Sequence, residues 1–517
     1  MKKTFYISTP IYYPSGDLHI GHLLTTTLAW VYRNYKKQQG YKTFFVTGID
    51  EHGEKIAKKA LENNLEPLKF TDLQTEKFKN LWTLLNIDYD HFSRTTNKNH
   101  EKMVIKIFNK MLEKGYIYKG SYQGLYSVSD EEFLTLSQAK KENGKFYHPV
   151  SGHELSQISE ESYFFKMSMF SNWIKDFLIN NPEFISNKAT QKELITNFLL
   201  EGLEDLSVTR VSFDWGIKLD NLQTEKKHVI YVWLDALFNY LSALNYLSEE
   251  NDELYNEFWK NGDERVHVLG KEISRFHSLY WPIFLKSLDI NMPTKEIVHS
   301  WIITPEGKMS KSKGNVINPI DLINKYGAEE IKYFFASQIN IDSDYSFSEK
   351  TLINVLNANL SNNFGNLVNR VAKMINNSFE NGVYYDKNNL QEIDLEILES
   401  LESYYLNYKE QMDNFHIDKA NDVAMALSSK LNEYIDKTEP WKLTNDLTRL
   451  NCVLNTLLNG IYLVNLMLSI IMPIKCQKIN QFIAQNSFDY NLITDFKKFD
   501  NKQINVSEIL FMRIKNN

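Results

Sequence analysis

The chain has 517 residues, 43% of them hydrophobic and 24% charged, with a formal net charge of -7 at pH 7. This length suggests about three domains, and the composition is that of a globular protein, not of a fibrous or disordered one. The acidic total excludes general adhesion to nucleic acid, so DNA is not an expected partner and an RNA would need a local basic face. Cys452 and Cys476 are the only cysteines; they exclude a disulfide framework and a four-thiolate zinc site, which fits a reducing, cytoplasmic setting.

Residues 3 to 9 alternate as a strand, and Pro10 and Pro14 interrupt an apolar start that would otherwise suggest a secretion signal. Residues 20 to 38 carry helical apolar spacing, Gly40 supplies a stop, and Thr43 to Thr47 reads as a second strand. Strand and helix patterns return at Val229 to Tyr240 and at Val266 to Leu285. This alternation predicts an α/β chain with a Rossmann-type, doubly wound parallel sheet and ligands at the carboxyl ends of its strands. The expected divisions are a catalytic domain over 1–115 and 229–305, an inserted connective domain over 116–228, a loop region over 306–348 and an α-helical bundle over 349–517. The apolar run Ile509 to Ile514 reads as a closing strand. Leu454 to Ile474 is the most lipid-like stretch, but Asn455, Asn459, Gly460 and Asn465 interrupt it. A buried helix is the expectation, with no membrane partner.

Two short segments carry the chemistry. Leu18-His19-Ile20-Gly21-His22 places two imidazoles around a glycine where strand turns into helix. A helix start offers unpaired N–H groups and positive dipole to phosphate oxygens, and a glycine allows close approach to the backbone. Lys308-Met309-Ser310-Lys311-Ser312, closed by Gly314, is a Lys/Ser-dense loop that can neutralise a leaving pyrophosphate. Each alone also reads blandly, the first as helix capping and the second as a solvated charge run. Together, and in order with Thr9-Pro10-Ile11-Tyr12-Tyr13, Gly48-Ile49-Asp50-Glu51-His52-Gly53, Glu161-Ser162-Tyr163-Phe164-Phe165, Phe213-Asp214-Trp215-Gly216, Trp233-Leu234-Asp235-Ala236, Phe276-His277-Ser278-Leu279-Tyr280-Trp281 and Pro440-Trp441, they are more specific. This set resembles the HIGH, KMSKS and accompanying segments of the methionyl-tRNA synthetase family of class I aminoacyl-tRNA synthetases.

The resemblance implies a methionine–tRNA ligase that forms methionyl-adenylate from L-methionine and ATP, brought in with Mg²⁺, and then charges tRNA(Met), initiator and elongator alike. It assigns ATP to His19, Gly21, His22, Gly270, Glu272, Lys308, Ser310 and Lys311, with His19, His22, Lys308 and Lys311 as the catalytic group. It assigns methionine to Ile11, Tyr13, Asp50, Trp233, Ala236, Tyr240 and His277, and the apolar types of Leu237 and Trp281 add them as walls. The residue types suit this: aromatic edges favour a thioether, and a carboxylate pairs with an ammonium. Leu237 stands where a proline is common, and Glu272 where an aspartate is frequent.

Anticodon contacts fall to Asn366, Arg370 and Trp441 by the same resemblance. An amide and a guanidinium four apart share a helix face, and an aromatic ring can stack an unstacked base; Trp441 could instead be a core plug. Many relatives hold zinc between CxxC pairs in the insertion. Here Ser127, Asp130, His148 and Ser151 occupy those places, with His153 nearby, so no zinc is expected. The insertion of about 110 residues is too short for the editing domain of the leucine, isoleucine and valine enzymes. The absence of pocket cysteines argues against a cysteine enzyme. The rival from another class is a catalytically inert RNA-binding paralogue. A monomer is the expected state.

Overall fold

The computed structural model describes all residues except 1, 15, 17, 135, 137, 150, 221, 223–225, 250, 306, 309–314, 505–507, 516 and 517, and the side chain of residue 308. The described residues form two compact units: 1–29, 40–83 and 87–300, then 30–39, 84–86 and 301–517. The insertion thus belongs with the first unit. The segment 306–348, expected as a region of its own, belongs with the helices of the second.

The first unit is built on β1 (Thr4–Tyr12), the start of α1 (Ile20–Gln38), β2 (Lys42–Ile49), α2 (Glu54–Glu62), α3 (Pro67–Leu84), β3 (His91–Arg94) and α4 (Lys98–Glu113); the rest of α1, from residue 30, belongs with the second unit. Its five-stranded sheet is parallel, in the order Lys295–His299, Glu264–Gly270, β1, β2, β3. Strand order reverses on the two sides of β1, and that is where an open α/β sheet opens a crevice for ligands. The expected alternation of residues 3 to 9 is not what β1 uses: Thr4 to Pro10 are buried on both faces, as a central parallel strand with both faces covered requires. At Thr9 and Pro10 the register with β2 slips. Pro10 has no N–H to give the ladder, and the resulting bulge re-aims Ile11 and Tyr13 beyond it.

The insertion is a four-stranded antiparallel sheet in the order Glu132–Leu134, Ile117–Ser127, Ser156–Phe165, Leu206–Ser207. Helices Ser171–Asn180 and Lys188–Leu194 follow its long strands. The chain then returns to the parallel sheet through Val229–Ile230 and the short helix Val232–Leu237.

The second unit is mainly helical, with Glu392–Asp413, Ile417–Thr438 and Leu447–Leu468 as its long members. Leu447–Leu468 is the one described helix long and apolar enough to cross a bilayer, and its apolar window is wholly buried in the unit. The closing strand expected at Ile509 to Ile514 is not formed. That segment is irregular, held by Phe511, which is buried beside Gly365, and by reciprocal hydrogen bonds between Asn357 and the Ile514 backbone at 2.8 Å. Its apolar run reflects packing on helices, with no neighbouring strand among the described residues to complete a ladder.

Candidate active site

The start of α1 carries the imidazole pair. Nδ1 of His22 accepts the His19 N–H at 3.2 Å, and Nδ1 of His19 accepts the Gly21 N–H at 3.1 Å. The rings stack with centroids 3.8 Å apart. Accepting at Nδ1 leaves the ring proton on Nε2, so each is a neutral donor. Desolvation, with His19 alongside, holds the His22 pKa well below its ordinary value. Tyr12 sets its ring edge-on to His22 at 5.0 Å and anchors its own hydroxyl on Thr26 at 2.6 Å. A Cβ on Gly21 would come within 2.9 Å of the His19 ring, so glycine is what lets this ring lie back over the helix start.

Gly270 and Glu272 sit at the carboxyl end of the strand Glu264–Gly270. The Glu272 carboxylate lies over Gly270, where a Cβ would meet it at 2.5 Å. It also opposes the downward shift that burial imposes on His299, whose Nε2 meets the Thr25 hydroxyl at 2.8 Å. Lys308 is the second residue of the short strand Gly307–Lys308, which pairs antiparallel with Ile302–Thr304. Ser310 and Lys311 lie outside the described residues.

The turn after β2 is braced from several sides. The Asp50 N–H bonds Tyr12 O at 2.9 Å, and the Glu51 N–H bonds Thr95 Oγ1 at 2.9 Å. The buried Glu51 carboxylate takes Arg94 at 2.7 and 2.9 Å. Trp215 donates its indole N–H to Glu51 O at 2.6 Å and accepts the Gly53 N–H at 3.2 Å. Gly53 itself has φ +114, and a Cβ there would strike the Tyr13 hydroxyl at 2.5 Å. Among the buried side-chain polar atoms of residues 50 to 53, only Asp50 Oδ1 has no partner. Burial, then Asp235 and Glu131, raises the Asp50 pKa well above its ordinary value, against an opposing contribution from the His52 backbone N–H.

The aromatic residues gather on the other side of the crevice. Trp233 stacks on Phe276 at 3.8 Å and meets His277 edge-on at 6.1 Å. His277 gives its Nδ1 proton to Ile273 O at 3.0 Å, so Nε2 accepts the Tyr240 hydroxyl at 2.7 Å. Burial pushes the His277 pKa down to about 4, which keeps this pair uncharged. Trp281 lies deeper, 5.8 Å from the Tyr240 ring, with its indole N–H on His267 Nε2 at 3.2 Å. Ala236 and Leu237 are buried on the helix that carries Trp233. Tyr13 reaches Glu131 Oε1 at 3.0 Å, and Ile11 is half-buried beside it in sequence.

Several residues here had no role in the sequence reading. Glu131, in the insertion, joins Tyr13, Tyr126 and the Lys55 N–H. Arg210 is buried against Glu160 and lies 3.9 Å over the Tyr126 ring. Phe276 backs Trp233. Asp235 sits between His52 Nδ1 and His100 Nε2, each at 2.6 Å. Only Asp235, His52 and Phe276 had a signal, since they fall inside the quoted segments.

The insertion's zinc-knuckle positions are joined differently. Asp130 accepts Ser151 Oγ at 2.8 Å and Ser127 Oγ at 2.5 Å, and pairs with His153 Nδ1 at 3.0 Å. His148 Nε2 meets Glu132 at 3.0 Å. Two hydroxyls and a carboxylate already saturated by donors do not make a tetrahedral zinc site, and no group of three or more metal-ligating side chains converges among the described residues.

In the second unit Asn366 is exposed at the start of the helix Asn366–Ser378. The Arg370 guanidinium lies 5.8 Å from the Trp441 ring centroid and 3.9 Å from Asp436. Trp441 is 48% exposed. That rules out the core-plug reading and leaves an indole face beside a cation at the surface.

Comparison with known proteins agrees with both units. A family model described as tRNA synthetases class I (M) matches residues 5–372, and one described as the anticodon binding domain of methionyl tRNA ligase matches residues 386–517. The chain is 55% identical over 515 residues to methionine–tRNA ligase of Mycoplasmopsis pulmonis, covering 100% of both chains. It is 42% identical over 451 residues to that of Bacillus subtilis, covering 86% of this chain and 67% of the relative. Mycobacterium tuberculosis methionyl-tRNA synthetase bound by methionyl-adenylate matches with a TM-score of 0.93 at 28% identity, covering 99% of this chain and 100% of that one. With full-length identity above half and both family models in sequence order, the chain belongs to the methionyl-tRNA synthetase family of class I aminoacyl-tRNA synthetases.

Proposed function

We propose that the chain activates L-methionine through the crevice at the carboxyl ends of β1, β2 and the strand Glu264–Gly270, and then charges tRNA(Met). The methionine carboxylate attacks the α-phosphorus of ATP, and pyrophosphate leaves. The terminal ribose hydroxyl of the tRNA then attacks the carbonyl of methionyl-adenylate, and AMP leaves. Such displacements depend on positioning and charge neutralisation, so no nucleophilic side chain is required. His19 and His22 donate from Nε2 to the phosphates at the positive start of α1. Gly21 and Gly270 admit the nucleotide close to the backbone, Glu272 takes the ribose, and Lys308, Ser310 and Lys311 meet the charge growing on pyrophosphate. Mg²⁺ enters as part of the ATP substrate.

The observation that carries methionine recognition is Asp50 Oδ1, a buried carboxylate oxygen without a partner in a turn where every other buried side-chain polar atom has one. A substrate ammonium supplies the missing partner. Tyr13, Trp233, Ala236, Leu237, Tyr240 and His277 enclose the thioether, with Ile11 and Trp281 behind. The uncharged Tyr240–His277 pair suits a sulfur that is only a weak acceptor.

The raised Asp50 pKa gives a test. Methionine binds the charged carboxylate, so at pH below the Asp50 pKa binding releases a proton, and affinity falls on acidification. Above that pKa it is flat. Titration calorimetry over a descending series of pH values is expected to show this fall for the wild type, at a pH above that of an ordinary carboxylate, and none for Asp50→Asn. An identical fall in both would contradict the assignment.

The Asp130 cluster supports a zinc-free insertion, cross-linked by hydrogen bonds. Elemental analysis of chelator-free protein is expected to find no stoichiometric zinc, and chelators are expected to leave the melting temperature unchanged. One tightly held zinc per chain would overturn this. Asn366, Arg370 and Trp441 are proposed to read the anticodon, and the enzyme is proposed to act as a cytoplasmic monomer.

A further inference from the structure

Asp235 is fully buried, yet it is not part of the thioether wall formed by its neighbours Trp233 and Ala236 on the helix Val232–Leu237. Its two oxygens are divided between two imidazoles from other elements. Oδ2 takes His52 Nδ1 at 2.6 Å, and Oδ1 takes His100 Nε2, from α4, at 2.6 Å. His100 Nδ1 continues to Ser242 Oγ at 2.8 Å, which bonds Asn239 O at 3.1 Å. The network therefore returns to the segment that carries Tyr240. The Trp215 ring sits edge-on to His52 at 5.5 Å, and Glu101 lies 4.0 Å from its other nitrogen. His52 is two residues after Asp50 in the braced turn.

The two ends of the methionine pocket are thus on different elements, and the Asp235 network is a buried connection between them. Asp50 follows β2; Trp233 and Ala236 ride the helix after the insertion. We propose that Asp235 is a positioning residue for methionine recognition: by holding His52 and His100 it fixes the thioether-binding helix relative to the turn bearing Asp50, and so sets the span between the ammonium and thioether subsites. This rests on the reading of Asp50 as the ammonium partner. A carboxylate suits the task because it alone among neutral-pH side chains accepts two N–H donors on opposite oxygens without offering one. An asparagine keeps one acceptor and turns an N–H₂ against the second imidazole.

The test compares L-methionine with 4-(methylthio)butanoate, which keeps the thioether and carboxylate and lacks the ammonium. The readouts are the methionine KM and the analogue's inhibition constant against methionine in ATP–pyrophosphate exchange. In Asp235→Asn the methionine KM is expected to rise about 10-fold or more, the usual loss for a misplaced charged hydrogen bond, while the analogue's constant and the ATP KM shift by less than about 3-fold. His52→Asn, which keeps an N–H near the position of Nδ1, is expected to retain the wild-type preference for methionine; His52→Leu is expected to lose it. That second pair carries the test if Asp235→Asn does not fold. Equal weakening of both ligands, or no change in either, would overturn the proposal and make the network merely structural. Asp50→Asn separates the two levels: an unchanged preference there would overturn the ammonium reading itself. A lost preference there, with Asp235→Asn and His52→Leu unaffected, would overturn only the positioning role.

Discussion

Lys311→Ala is expected to slow methionine activation about 10² to 10³-fold, the usual loss when one preorganised donor to transition-state charge is removed. On the proposed role, Lys311 meets charge that ATP carries only in part: the β- and γ-phosphates gain further negative charge as the bond to the α-phosphorus breaks. The interaction is therefore strongest in the transition state, and its removal lowers kcat far more than it weakens binding. Methionine binding in the absence of ATP is expected to stay at its wild-type value, because Asp50 and the aromatic wall are untouched. Calorimetry beside pyrophosphate exchange checks both halves. A methionine affinity that falls as much as the rate would make Lys311 a structural residue.

Trp441→Ala is expected to reduce tRNA charging about 5 to 150-fold at low tRNA concentration, the equivalent of about 1 to 3 kcal/mol for one stacked base. Pyrophosphate exchange, which needs only ATP and methionine, is expected to remain near wild type. The exposure of this indole, 48%, makes the expectation sharp, because truncating it leaves no core cavity and the melting temperature should hold. The neighbouring Arg370 guanidinium can add cation–π character to the stack. A large drop in melting temperature with parallel loss of both activities would rule out the anticodon role.

How far the sequence revealed all this depends on distance along the chain. The helix Ile20–Gln38 was legible to its ends, because apolar spacing and the stop at Gly40, φ +85, are local signals. The imidazole pair was equally legible, since its hydrogen bonds reach only two or three residues. β1 was found, but its burial on both faces was not, because that is imposed by elements packed on the sheet. The segment Ile509 to Ile514 misled for the same reason: an apolar run satisfies a strand or an irregular packed segment alike, and only a neighbouring strand decides. Asp235 lies 183 residues from His52 and 135 from His100, and Arg210 lies 50 from Glu160. No local pattern encodes such pairings. They show only when the insertion and the parallel sheet are folded together, and so the bracing of the pocket, unlike its wall, stayed out of reach of the sequence.

On this reading the crevice selects methionine by pairing a buried carboxylate with the ammonium and an uncharged aromatic box with the thioether. ATP–pyrophosphate exchange measured separately with each of the twenty amino acids tests it most directly. Exchange is expected with methionine alone; comparable exchange with leucine or isoleucine, or none with methionine, would contradict that selection.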